Sequence, residues 1–93
     1  MKYAVRVELN SGSMNDFNLL HQAMDNKGFS KIITSDDGRD YYLPKATYLI
    51  NTTSNRSRVL EAVKSAVSIT RKTAEIIVFE YSSSSWSGLT PVR

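Results

Sequence analysis

The stretch Lys2-Tyr3-Ala4-Val5-Arg6-Val7-Glu8-Leu9 decides the fold. Tyr3, Val5, Val7 and Leu9 fall on one face, and Lys2, Ala4, Arg6 and Glu8 on the other. Period-2 alternation of this kind marks a half-buried strand, whose apolar side needs a covering layer. The residues that follow supply one. Asn10-Ser11-Gly12 breaks the strand, Ser13 suits a helix N-cap, and Asp16 puts a carboxylate near the positive helix end. Met14, Phe17, Leu20, His21 and Met24 then recur at helical spacing. Gly28 stands where a left-handed residue closes a helix. The spacing predicts a first helix from about Met14 to Lys27.

Further out, Phe29 to Ser35 is rich in β-branched residues and reads as a second strand, ended by the turn signal Asp36-Asp37-Gly38. Tyr41-Tyr42-Leu43-Pro44 belongs on an edge or in a loop, because Pro44 has no N–H for a ladder. Ala46 to Thr52 reads as the third strand. Val59, Leu60, Val63, Ala66 and Val67 form the stripe of a second helix, and Ala74 to Tyr81 a last strand. The order β-α-β-β-α-β predicts an α+β, ferredoxin-like domain. Right-handed crossovers place the first and third strands at the centre of a four-stranded antiparallel sheet, with two helices on one face. Residues 1–81 make this domain, and residues 82–93 are expected as a flexible Ser-rich C-terminal tail whose large apolar residues are Trp86 and Leu89.

The chain has 93 residues, room for one domain and a thin core, so a partner subunit would help it. Hydrophobic residues make up 41% and charged residues 23%, which argues against a disordered or fibrous chain. No apolar stretch approaches the ~20 residues that span a bilayer, and the start of the chain carries no apolar signal region. Without cysteine, disulfides, zinc fingers and thiol nucleophiles are excluded. The expected location is the cytoplasm. Twelve Lys and Arg against nine Asp and Glu leave a net charge of +3, compatible with a nucleic-acid partner and equally with simple solubility.

An isolated sheet of this kind should turn polar residues to water on its open face. The first strand does so with Arg6 and Glu8. The last strand does not, since Ile77 and Phe79 alternate with Ile76 and Val78, and Leu49 faces away from Tyr48 and Ile50. A second copy packed face to face would cover such a patch as an isologous homodimer. The alternative is that the tail with Trp86 folds over it.

Candidate chemistry is sparse. One histidine cannot form an acid/base pair of histidines, and His21 within the helix stripe is expected as a border packing residue. No Walker loop, dinucleotide fingerprint, nucleophile elbow or zinc-protease pattern occurs. Glu8 lies beside Arg6 on the open face. Two copies across a two-fold axis could share a divalent cation such as Mg2+, or Glu8 could form a surface ion pair with Arg6. Asp36, Asp37 and Asp40 around Gly38 match no EF-hand spacing and read as turn chemistry. Arg56 and Arg58 occupy the first turn of the second helix, where the dipole disfavours cations. With free N–H groups and Thr53 or Ser54 they could grip a phosphate, or they are two solvated arginines.

Phe29-Ser30-Lys31-Ile32-Ile33, then Gly38, Leu43, Tyr48-Leu49-Ile50 and Thr52-Thr53-Ser54, resemble the GhoS family of small bacterial type V antitoxins. The fold of that family is similar to that of the CRISPR-associated Cas2 nucleases, and the resemblance runs from Tyr3 to about Tyr81. It implies an endoribonuclease, with or without a metal, acting on the single-stranded mRNA of a toxin. In Cas2-like proteins an aspartate near the end of the first strand binds the metal, and Glu8 is the acid nearest that position. The resulting expectation is an antitoxin-like endoribonuclease, dimeric, with Glu8 and Arg6 in the chemistry and RNA along Arg6, Lys31, Arg56 and Arg58. A non-catalytic ferredoxin-like module binding RNA or a protein is the alternative. An RRM is a poor version of it, because Tyr3 falls on the helix-facing side, where it could not stack a base.

Overall fold

The structure, a computed structural model, describes residues 1–93. Strand β1 (Lys2–Leu9) buries Tyr3, Val5, Val7 and Leu9, as its alternation dictates. Helix α1 (Met14–Asn26) starts in a capping box: Ser13 accepts from the Asp16 N–H, and the Asp16 carboxylate accepts from the Ser13 N–H. Lys27 is its C-cap, and Gly28 follows at φ +89°, the left-handed residue that ends the helix. Leu20, Ala23 and Met24 are its buried face. Met14 departs from the expected stripe: as the first residue of α1 it is 73% exposed, and the helix buries Leu20, Ala23 and Met24 instead.

The chain continues through β2 (Ile32–Thr34), β3 (Asp40–Tyr42), β4 (Thr47–Asn51), α2 (Arg56–Ser68) and β5 (Ala74–Tyr81). The main sheet is antiparallel in the order β4-β1-β5, so β1 is central as expected. It has three strands, not the four expected, and β2 pairs instead with β3 in a separate two-stranded hairpin. The missing fourth strand survives as a single bridge between Ser30 and Leu49, whose two N–H···O bonds are both 2.8 Å. The cause is local. The Ser30 hydroxyl accepts from the Ile32 N–H at 3.0 Å and turns the chain out of the ladder, freeing Ile32 and Ile33 to pair with Tyr42 and Tyr41. Strand β4, the expected third strand, is therefore flanked on its outer side by one bridge alone.

Both helices cover the face of Tyr3, Val5, Val7 and Leu9. Leu20 and Met24 from α1 and Val59, Val63, Ala66 and Val67 from α2 join them, with Tyr48 wholly buried, in a core of 14 residues. Burying a side chain such as Leu20 or Val63 stabilises the fold by about 1.5–3 kcal/mol. The Tyr3 ring lies in this core as expected, and its hydroxyl donates to the Ser54 carbonyl at 3.1 Å.

Residues 82–93 run back across the open side of the sheet to the hairpin. The Tyr42 N–H donates to the Thr90 carbonyl (2.9 Å) and the Val92 N–H to the Asp40 carbonyl (3.0 Å), so the tail adds to the free edge of β3. Trp86 packs on Tyr41, with ring centroids 5.8 Å apart. No helix is long and apolar enough to cross a membrane.

Candidate functional site

The antiparallel register of β1 with β5 builds the open face pair by pair: Lys2 opposite Tyr81, Ala4 opposite Phe79, Arg6 opposite Ile77, and Glu8 opposite Glu75. Glu8 and Glu75 are thus directly opposed like charges, an arrangement that destabilises a strand pair unless something offsets it. Arg6 partly does so, with Nη2 at 3.9 Å from Glu8 Oε2, both side chains being more than half exposed. A surface pair this open contributes about 0–1 kcal/mol. The chain alone assembles no cluster of three metal-ligating side chains. Two carboxylates facing solvent suit a magnesium ion that keeps most of its waters. Sequence reasoning missed Glu75, although counting back by twos from Phe79 and Ile77 reaches it.

Ile77 and Phe79, each 50% exposed, form the apolar part of this face on the β5 side. On the β4 side the tail arches over Ala4, Thr47 and Leu49, enclosing with Trp86 and Leu89 a cavity of about 440 Å³. The face is thus divided, with the tail over one half and the β5 half open.

A second constellation lies on the helix side. The bridge pairs Ser30 with Leu49 on the open face, so Lys31, the next residue, turns toward the side of Tyr48. There His21 Nδ1 is hydrogen-bonded to the Tyr48 hydroxyl, with the ring centroids 5.7 Å apart. Phe17 lies on the other side of His21, at 6.4 Å, and Lys45 Nζ sits 4.0 Å above the Phe17 ring. Burial first, and then the Lys31 and Lys45 ammonium groups, hold the His21 pKa below its ordinary 6.5, so the ring is neutral at pH 7. Burial raises the Tyr48 pKa well above the ordinary 10.0, so this phenol keeps its proton. The Tyr48 side chain is buried and its hydroxyl has no other hydrogen-bond partner, so it donates to His21 Nδ1. The neutral ring then carries its own proton on Nε2. His21 and Lys31 line a groove of about 600 Å³ between α1 and the hairpin, with Asn18, Gln22, Asp25 and the half-exposed Tyr42.

The structure does not join the expected site residues into one path. Arg6 and Glu8 lie on the open face, whereas Lys31 lies on the helix side. Arg56 and Arg58 are exposed in the first turn of α2. Asn55 caps that helix and takes the Arg58 N–H at 2.9 Å. The Asp loop is turn chemistry: Asp37 accepts from the Ser35 hydroxyl and meets Arg39 at 3.6 Å, and Asp40 accepts from Thr34 Oγ1 at 2.6 Å.

Together these features define a small α+β protein built on a reduced ferredoxin-like plan, with a carboxylate pair on one face and a polar groove holding His21 and Lys31 on the other. The chain belongs to the GhoS family of endoribonucleases: the family model described as Endoribonuclease GhoS matches residues 1–87. No curated protein matches it. The family match extends past Tyr81 and through Trp86, so the first part of the tail falls within the family's pattern, further than the sequence resemblance reached.

Proposed function

We propose that the chain is an antitoxin-like endoribonuclease that cleaves single-stranded mRNA in the cytoplasm, acting as a homodimer through the open sheet face. The observation that carries this reading is the family match over residues 1–87. The bare Ile77–Phe79 patch supports the dimer, since a second copy is the partner that would cover an apolar strip on a sheet of this size. Glu8 and Glu75 would hold a divalent cation such as Mg2+, which when bound neutralises charge on a phosphate. Arg6 orients the Glu8 carboxylate from the same strand face and adds a cation for the RNA backbone. Lys31, Arg56 and Arg58 supply further positive charge to a strand that crosses from one face to the other.

Cleavage of labelled single-stranded RNA with magnesium and with EDTA, beside Glu8→Ala, tests the assignment. Loss of cleavage with RNA binding retained supports Glu8 in the chemistry. Unchanged cleavage keeps the nuclease and removes Glu8 from it. RNA bound and never cut makes the chain the non-catalytic binding module.

A further inference from the structure

The groove between α1 and the β2–β3 hairpin collects groups that the open-face chemistry does not use. Its volume of about 600 Å³ lies within the range of sites that hold a small ligand or one unit of a polymer. One wall carries the His21 ring, locked by Tyr48 in the tautomer that offers Nε2–H. Lys31 stands in the groove and Lys45 beside it, packed on Phe17. The opposite wall includes Tyr42, which is 46% exposed although its backbone is held in the hairpin and by the tail. Asn18, Gln22 and Asp25, spaced along α1, add donors and acceptors of the kind that read base edges.

We propose that this groove docks one nucleotide of the single-stranded RNA, its phosphate on His21 Nε2–H and Lys31 and its base stacked on Tyr42. The assignment rests on the RNA-cleaving reading above but on none of its open-face residues. The Lys31 ammonium and the neutral His21 imidazole line the same groove, from the residue before β2 and from α1, and Lys45 on the β3–β4 loop lies near enough to lower the His21 pKa; such donors suit a phosphate monoanion. Asp25, in the same groove, opposes a second phosphate there and suits the amino edge of a base. Aromatic stacking is tolerant of sequence, so the site takes any unpaired nucleotide and excludes a duplex, whose bases are not available.

His21 is the only histidine, so its imidazole signals report on the groove without ambiguity. The groups facing it are Lys31 and Lys45, Asp25 one turn along α1, Tyr48 from β4 and Tyr42 from β3. A bound phosphate offsets the two lysines, and the His21 pKa must then rise.

The test titrates an uncleavable 2′-O-methyl single-stranded oligonucleotide into the protein in EDTA, following affinity and the His21 pKa by NMR. The His21 pKa is expected to rise on binding. Tyr42→Ala should weaken binding at least about fivefold, as for one lost stacked base. Lys31→Ala should flatten the salt dependence by about 0.7 in log–log slope, as for one lost phosphate contact. Lys64→Ala, which removes an exposed lysine paired with Glu61 on α2, controls for net charge and should change neither readout. Binding that leaves the His21 pKa unmoved and is indifferent to Tyr42→Ala and Lys31→Ala overturns the groove while sparing the nuclease. No binding to any RNA overturns both.

Discussion

Tyr48 and His21, 27 residues apart, are hydrogen-bonded through the phenol oxygen and Nδ1, tying β4 to α1 at the inner end of the groove. The bond fixes the ring of the one histidine, and burial together with two lysines keeps that ring neutral. A depressed folded-state pKa means that the unfolded chain binds more protons between that value and the ordinary 6.5. Stability is then full above 6.5 and is lost as pH falls through the folded value. Thermal melts from pH 8 to pH 5 should show this decline, and His21→Gln should flatten it. Parallel curves for the two proteins would remove His21 as its cause. Asp16, held low by the Ser13 N–H, and Asp37, held low by the Ser35 hydroxyl, act in a separate window near and below 3.8.

Gly12 is fixed by space rather than by backbone angle. A Cβ there would lie 2.8 Å from Leu9 Cβ and 3.3 Å from Phe17 Cε2. Gly12→Ala must push β1 and α1 apart, at a cost of about 1–3 kcal/mol. In a domain of this size each kcal/mol lowers Tm by about 4–8 °C. Calorimetry on the variant should find that drop, and an unchanged Tm would mean the β1–α1 turn relaxes freely.

Phe79 and Ile77 face solvent on a strand whose other side is packed on the core. Phe79→Lys should leave the fold intact and weaken self-association at least about tenfold, given the value of burying one aromatic side chain. Sedimentation equilibrium of both proteins decides it. Equal masses across concentration would place the dimer contact elsewhere.

Trp86 anchors the tail on Tyr41. The Tyr42 and Val92 amides, which donate to Thr90 and Asp40, should be protected from hydrogen exchange in the wild type. Trp86→Ala should release both while leaving β1 amides protected. Fast exchange of both amides in the wild type would show that the tail is not docked.

Four elements are legible from short-range pattern: alternation for β1, an apolar, β-branched run for β5, and helical spacing for α1 and α2, with a clear N-cap signal at Ser13 of α1 alone. The second strand is not, because its apolar composition satisfies two pairings equally. The Ser30 hydroxyl, bonded to the Ile32 N–H, sits where the chain leaves the main ladder for the hairpin. The same limit applies to the site. The sequence singles out Lys31, but His21, Lys45, Tyr42 and Tyr48 come together near it only through long-range packing. His21 looked like a border residue of α1, and it is one, packed between Phe17 and Tyr48. What no spacing announces is that two lysines from distant segments face the same ring.

The measurement that bears most directly on the account is endonucleolytic cleavage by the purified chain, comparing end-labelled single-stranded RNA with single-stranded DNA and duplex RNA of the same sequence. The account predicts internal fragments from the single-stranded RNA alone, accumulating over multiple turnovers. Intact single-stranded RNA under conditions where it is stably bound would contradict it.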